Sequence, residues 1–181
     1  MAELVFIGGG ARSGKSRAAL TRALSHPAPR IFIATAEARD AEMRARIDAH
    51  RRERDSAFET IEAPRDLAGA LRAHRDARVV IIDCLTLWLS NLLFDGRSDA
   101  EIEEATMQWI RAAQEHPHPV IVVANEVGQG IVPGDALSRR FRDLAGRLNQ
   151  QVAAHADHVE VRFFGLSIPL KTHGVESEHA R

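Results

Sequence analysis

A chain of 181 residues, 45% of them hydrophobic, suits one α/β domain with a full core and leaves little room for a second. Its formal net charge of −1 gives no global attraction to nucleic acid or acidic membranes, and Cys84, the only cysteine, excludes a disulfide framework and a multi-cysteine metal site. No basic stretch leads into a signal-peptide core and no apolar run approaches about 18 residues, so a soluble cytoplasmic protein without a membrane span is expected.

The first element is a short apolar run, Leu4 to Ile7, read as a strand. It leads into Gly9, Gly10, Ala11, Arg12, Ser13, Gly14, Lys15 and Ser16, the spacing G-x-x-x-x-G-K-S, and then into a helix-forming stretch, Arg17–Leu24. Strand, glycine loop and helix in that order form the context in which the pattern means a phosphate-binding loop rather than a glycine-rich turn that binds nothing. Glycines let successive backbone N–H groups face one anion, and the helix N-terminus adds its positive dipole end. Lys15 is placed to reach the β- and γ-phosphates, and the Ser16 hydroxyl to ligate Mg²⁺. The chain has only two lysines, Lys15 and Lys171, and one falls where such a loop requires one.

A second strand, Ile31–Ala34, ends in Ala34-Thr35-Ala36, small residues that allow close approach of a nucleotide. Glu37 to Arg54 follows, with six arginines and five acids, a solvated surface helix on composition alone. On that helix Met43, Ile47 and His50 share one face, so His50 continues an apolar stripe, with Arg46, Arg51 and Arg54 near it as phosphate-binding candidates. A partly buried structural histidine and a chemical one both fit this placement. Phe58–Glu62 is a candidate short edge strand, and Asp66–Arg75 reads as a helix.

Val79–Ile82 is a third buried strand, directly followed by Asp83, where an acidic residue holds Mg²⁺ in phosphate-loop enzymes. Capping of a following helix is the alternative role for Asp83. Beyond it Trp88 and Leu92 lie at i, i+4, flanked by Leu85 and Leu89, an apolar segment that core packing or a subunit interface would explain. A helix is expected over Asp99–Glu115, a strand over Val120–Ala124, a helix over Ala136–Ala154 and a strand over Val159–Phe164. The Asn125-Glu126-Val127-Gly128-Gln129-Gly130 stretch between them is either a flexible loop over a substrate or an ordinary connection. Near-continuous apolar strands alternating with helices predict a mostly parallel, doubly wound sheet with helices on both faces and ligands at the carboxyl ends of the strands. The domain is expected to run over residues 1–171, with a polar, disordered tail from Thr172 to Arg181.

These pieces together resemble the bifunctional adenosylcobinamide kinase/adenosylcobinamide-phosphate guanylyltransferase family of cobalamin biosynthesis. The resemblance rests on Gly8 to Ser16, on Arg46-Ile47-Asp48-Ala49-His50-Arg51-Arg52-Glu53-Arg54 leading to Thr60-Ile61-Glu62, and on Asp83-Cys84-Leu85-Thr86. It extends through Asn125-Glu126-Val127-Gly128 and Ser138 to Asn149-Gln150, nearly the whole chain. It implies a P-loop α/β fold and a propeller-like homotrimer. It also implies phosphorylation of adenosylcobinamide by ATP or GTP, then transfer of GMP from GTP to adenosylcobinamide phosphate through a guanylyl-histidine. By the match of Arg-Ile-x-x-His-Arg that histidine is His50. The implied nucleotide contacts are the Gly9–Ser16 loop, Ala34, Thr35, Ala36, Arg51, Arg52, Glu53, Arg54, Glu62 and Asp83. One departure is Phe58, where much of the family carries tryptophan.

Two other readings stand beside this one: a small-molecule kinase in which His50 is structural, and a nucleotide-dependent switch. The absence of Asn-Lys-x-Asp, by which GTPases commonly read guanine, argues against the switch and leaves base selection to other contacts.

Overall fold

The buried apolar runs assemble into the middle of one seven-stranded sheet, ordered β3-β2-β4-β5-β1-β6-β7, in a computed structural model that describes residues 3–38, 41, 44, 45 and 55–172. The strands are β1 (Leu4–Gly9), β2 (Arg30–Ala34), β3 (Glu59–Glu62), β4 (Val79–Asp83), β5 (Val120–Asn125), β6 (His158–Phe163) and β7 (Leu166–Lys171). The helices are α1 (Lys15–Leu24), α2 (Leu67–Ala73), α3 (Leu85–Phe94), α4 (Asp99–Gln114) and α5 (Ala136–His155). All pairings are parallel except β6 with β7. The expected mostly parallel sheet with helices on both faces is the one observed.

Side chains alternate across this sheet with period two. Leu4, Phe6, Val80, Ile82, Val120 and Val122 enter one core with apolar residues of α2, α3, α4 and α5. Val5, Ile7, Val79, Ile81, Ile121 and Val123 enter a second core with Ala19 and Ala23 of α1. Both faces of these strands are buried, which is why their sequences are apolar runs instead of alternating ones.

One open reading is resolved and one element differs from the sequence expectation. The Leu85–Leu92 segment is helix α3, and its Leu85, Trp88, Leu89 and Leu92 are buried in the first core, so core packing is the one of the two readings that explains these residues. Strand β7 was not anticipated, because Gly165 and Pro169 interrupt the apolar pattern. Phe164 and Gly165, both at positive φ (52° and 80°), form the two-residue turn that reverses the chain into it. Pro169 is tolerated because β7 is the sheet edge. Phe58 is buried in the second core. His50, Arg51, Arg52, Glu53, Arg54, Met43 and Ile47 lie outside the described residues, as does the tail from residue 173. No helix among the described residues is long and apolar enough to cross a membrane.

Candidate active site: a phosphate loop at the carboxyl edge of the sheet

Register aligns the chemistry. Gly9 pairs with Asn125 and Arg162, and Ala34 pairs with Asp83 and Glu62, so the carboxyl ends of β1 to β6 share one edge. The Gly9–Ser16 loop rises from this edge at β1. Gly9 has φ 152°, and a Cβ there would stand 2.6 Å from both Arg162 O and Ser13 Oγ, so no side chain fits. Gly14 is the N-cap of α1 at φ 91° and supplies no side-chain cap, leaving the first-turn N–H groups open to an anion. Ser13 Oγ is buried inside the loop with no hydrogen-bond partner among the described residues. An orphaned hydroxyl beside an uncapped helix end is the polar environment a phosphate satisfies.

Lys15 is the first residue of α1 and is buried, its Nζ donating to Gly10 O at 2.9 Å across the loop. Burial lowers the pKa of its ammonium, opposed by the nearby Cys84 and Asp83. The Cys84 thiol is itself pushed up to about 12, first by burial and then by Asp83. It is therefore neutral at physiological pH, which leaves the Asp83 carboxylate as the charge that Lys15 meets. Asp83 is half-buried at the end of β4. Cys84, not Asp83, is the N-cap of α3, so the helix-capping alternative for Asp83 does not apply.

Sequence reading placed Ala34-Thr35-Ala36 against a nucleotide. Thr35 is instead fully buried, its hydroxyl donating to Cys84 O and accepting from Cys84 N–H, each at 2.8 Å. It clasps the β4–α3 turn and so positions Asp83, while Ala34 and Ala36 are half-buried at the edge. Asn91 extends this clasp, its Nδ2 donating to Thr35 O and Pro64 O at 2.8 and 3.0 Å. Glu62 is exposed at the end of β3, and nearby Arg65 pairs with both Glu37 and Asp95.

The Asn125 loop is tied down at its root. Thr86 Oγ1 accepts from Asn125 N–H at 2.7 Å, Asn149 Nδ2 donates to Asn125 O at 3.2 Å, and Glu126 N–H donates to Gly9 O at 3.0 Å. Beyond that root the chain lies open, with Ile131 96% exposed. The clasping roles of Thr35, Thr86, Asn91 and Asn149 are hidden in the sequence because their partners are distant backbone atoms. For Thr86, Asn91 and Asn149 the one available signal is a polar residue at a position that the helical period assigns to the interior.

Sites for a metal follow from the donor set. Ser16, half-buried on the first turn of α1, and Asp83, close enough to influence Lys15, are hard oxygen donors of the kind Mg²⁺ takes alongside phosphate oxygens and water. No group of three or more His, Cys, Asp or Glu stands ready to hold a metal among the described residues. A Mg²⁺ carried in largely by phosphates needs no such cage.

Comparison with known proteins places the chain in a family. A family model described as cobinamide kinase / cobinamide phosphate guanyltransferase matches residues 5–170. The chain is 44% identical over 167 residues to the bifunctional adenosylcobalamin biosynthesis protein CobP of Pseudomonas aeruginosa, covering 90% of this chain and 94% of that one. It is 38% identical to the bifunctional adenosylcobalamin biosynthesis protein CobU of Escherichia coli and 39% to that of Salmonella typhimurium, in each case over 93% of this chain and 99% of the relative. Among solved structures, the flagellar accessory protein FlaH of Methanocaldococcus jannaschii has a TM-score of 0.55 at 14% identity, covering 94% of this chain and 79% of that one. The RadB recombinase has a TM-score of 0.50 at 16% identity, covering 92% of this chain and 86% of that one. These two likenesses speak to the fold alone, a single P-loop-type α/β domain. By sequence, the chain belongs to the cobinamide kinase / cobinamide phosphate guanyltransferase family.

Proposed function

We propose that this protein phosphorylates adenosylcobinamide with ATP or GTP and then transfers GMP from GTP to the product, giving adenosylcobinamide-GDP. Family membership supports the pair of activities. The observation that carries the first step is the loop itself, an uncapped helix end with a buried lysine and an orphaned serine hydroxyl.

In the kinase step the aminopropanol hydroxyl oxygen of adenosylcobinamide attacks the γ-phosphorus, and the bond to the β-phosphate oxygen breaks. Negative charge builds on the phosphoryl oxygens and the leaving diphosphate. Lys15 and the first-turn N–H groups of α1 oppose that charge from fixed positions, so little reorganisation is needed. Asp83 opposes the desolvation that lowers the pKa of the buried Lys15. Ser16 and Asp83 would hold Mg²⁺, which neutralises phosphate charge when bound. In the second step the His50 imidazole attacks the α-phosphorus of GTP and pyrophosphate leaves. The phosphate of adenosylcobinamide phosphate then attacks the same phosphorus and releases His50. Arg51, Arg52, Glu53, Arg54, Ala34, Ala36 and Glu62 complete the nucleotide contacts, the arginines disfavouring imidazolium and neutralising phosphate.

The working assembly is a cytoplasmic homotrimer. Support comes from β7, whose unpaired edge exposes Leu166, Ile168 and Leu170 beside Phe164, an apolar strip that a neighbouring subunit would cover. The direct test supplies adenosylcobinamide and γ-labelled GTP, followed by unlabelled GTP. Label is expected first in adenosylcobinamide phosphate and then in adenosylcobinamide-GDP. An unlabelled corrinoid would contradict the reading.

A further inference from the structure

On the α1 side of the sheet, a single helix among the described residues covers the strands, and it packs on β1, β4 and β5. The same face of β6 therefore stays open, and Glu160 and Arg162, which alternate with the buried Val159, project there. The result is a cleft of about 570 Å³ between α1 and the β6–β7 hairpin, lined by Ile7, Gly14, Arg17, Thr21, Glu160 and Arg162. It opens directly onto the phosphate loop, since a Cβ added at Gly14 would lie 3.8 Å from Gly165 Cα at the hairpin tip. Residues that the family resemblance assigns to the nucleotide, Ala34, Ala36, Glu62 and Asp83, lie across the loop from it, toward β2, β3 and β4.

We propose that this cleft is a nucleoside subsite, holding the purine and ribose of the phosphoryl donor whose phosphates sit on the Gly9–Ser16 loop. The inference rests on the kinase reading and adds where the donor's nucleoside lies. Its size falls in the range of small-molecule sites. From Gly14 to Thr21 the helix advances about 10 Å, so a nucleotide anchored at the helix N-terminus has its nucleoside alongside this stretch. Chemistry suits the ligand at each point. Arg17, one turn from the phosphates, meets the α-phosphate, and Arg162 offers a flat guanidinium for a base to stack on. Arg162 Nε is buried without a partner among the described residues, a donor that the ribose or base would satisfy. Glu160 accepts one bond from Ser167 Oγ at 2.8 Å, leaving acceptor capacity for a purine amino group. Arg22, at the far end, is already paired with Glu3 at 2.9 Å and closes the cleft.

One protein then has two nucleoside positions about a single phosphate loop, one on the β6 side for phosphoryl donation and one on the β2–β3 side for guanylyl transfer. Equilibrium titration of the full chain with ADP, GDP and tripolyphosphate tests this without any corrinoid. Thr21→Trp, which fills the cleft from an exposed position, and Glu160→Ala should each weaken ADP binding about tenfold or more, and GDP binding less, since the β2–β3 position still takes guanine. Tripolyphosphate, which has no nucleoside, should bind all three proteins within about twofold. Unchanged ADP affinity in both variants overturns the proposal, as does a parallel loss of tripolyphosphate. Loss on Glu62→Ala instead of the cleft variants would put the donor on the other side of the loop. Failure of the wild type to phosphorylate adenosylcobinamide would contradict the kinase reading while leaving this binding result standing.

Discussion

Helix α4 starts at Ser98 with a complete capping box, Ser98 accepting from Glu101 N–H and Glu101 accepting from Ser98 N–H, whereas α1 starts at Gly14 with no side-chain cap on its first turn. Helices α2 and α5 are capped as well, by Asp66 and Asp135. A capped helix end satisfies its donors internally and contributes stability. An uncapped end beside a buried lysine and an orphaned hydroxyl leaves its donors to a ligand. The two starts teach that the same four backbone donors serve folding in one place and chemistry in the other. The neighbouring side chains decide which.

Lys15→Ala should produce the largest effect. It removes one fixed charge from the transferring phosphoryl group, and the kinase rate should fall on the order of a hundredfold or more, read by steady-state assay. Thermal stability should stay near wild type, because the lysine answers to phosphate rather than to the core. A normal rate in this variant would break the contrast at the α1 end.

Ser98→Ala is the mirror experiment and should cost about 1 kcal/mol in urea unfolding while leaving both transferase rates unchanged. The smallest effect concerns pH. Backbone and side-chain bonds from Ser98, then Arg97, depress the Glu101 carboxyl to about 2 in the folded protein. A depressed carboxyl contributes stability that is present above its ordinary pKa, near 4.5, and is lost as pH falls toward about 2. Wild type should therefore exceed Glu101→Gln in stability at pH 6, with the difference shrinking steadily below pH 4.5. A pH-independent difference would mean that charge plays no part in the cap.

Much of this molecule was legible in its residues, for identifiable reasons. Strands β1, β2, β4 and β5 announce themselves because both faces are buried, so nearly every residue must be apolar, whereas β6 alternates and is marked by its valines. The phosphate loop is legible because Gly9 and Gly14 sit where backbone geometry forbids or strains any other residue. Strand β7 was not legible, because an edge strand with one pairing partner tolerates Pro169 and needs no regular pattern. The role of Thr35 was hidden for another reason. A threonine after a strand reads as ligand-facing, and only the approach of Cys84, 49 residues away, turns its hydroxyl inward. The cleft beside α1 was equally silent, since it arises from what one short helix leaves uncovered.

The division of the two group transfers between Lys15, for the γ-phosphoryl group, and His50, for the guanylyl group, is the feature on which the proposed mechanism turns. Peptide mapping of wild type and His50→Asn after incubation with GTP, with adenosylcobinamide phosphorylation assayed on the same samples, addresses it most directly. An acid-labile, base-stable GMP adduct is expected on His50 in the wild type, with no adduct in the variant and phosphorylation retained in both. A GMP adduct on another residue, or loss of both activities together in His50→Asn, would contradict it.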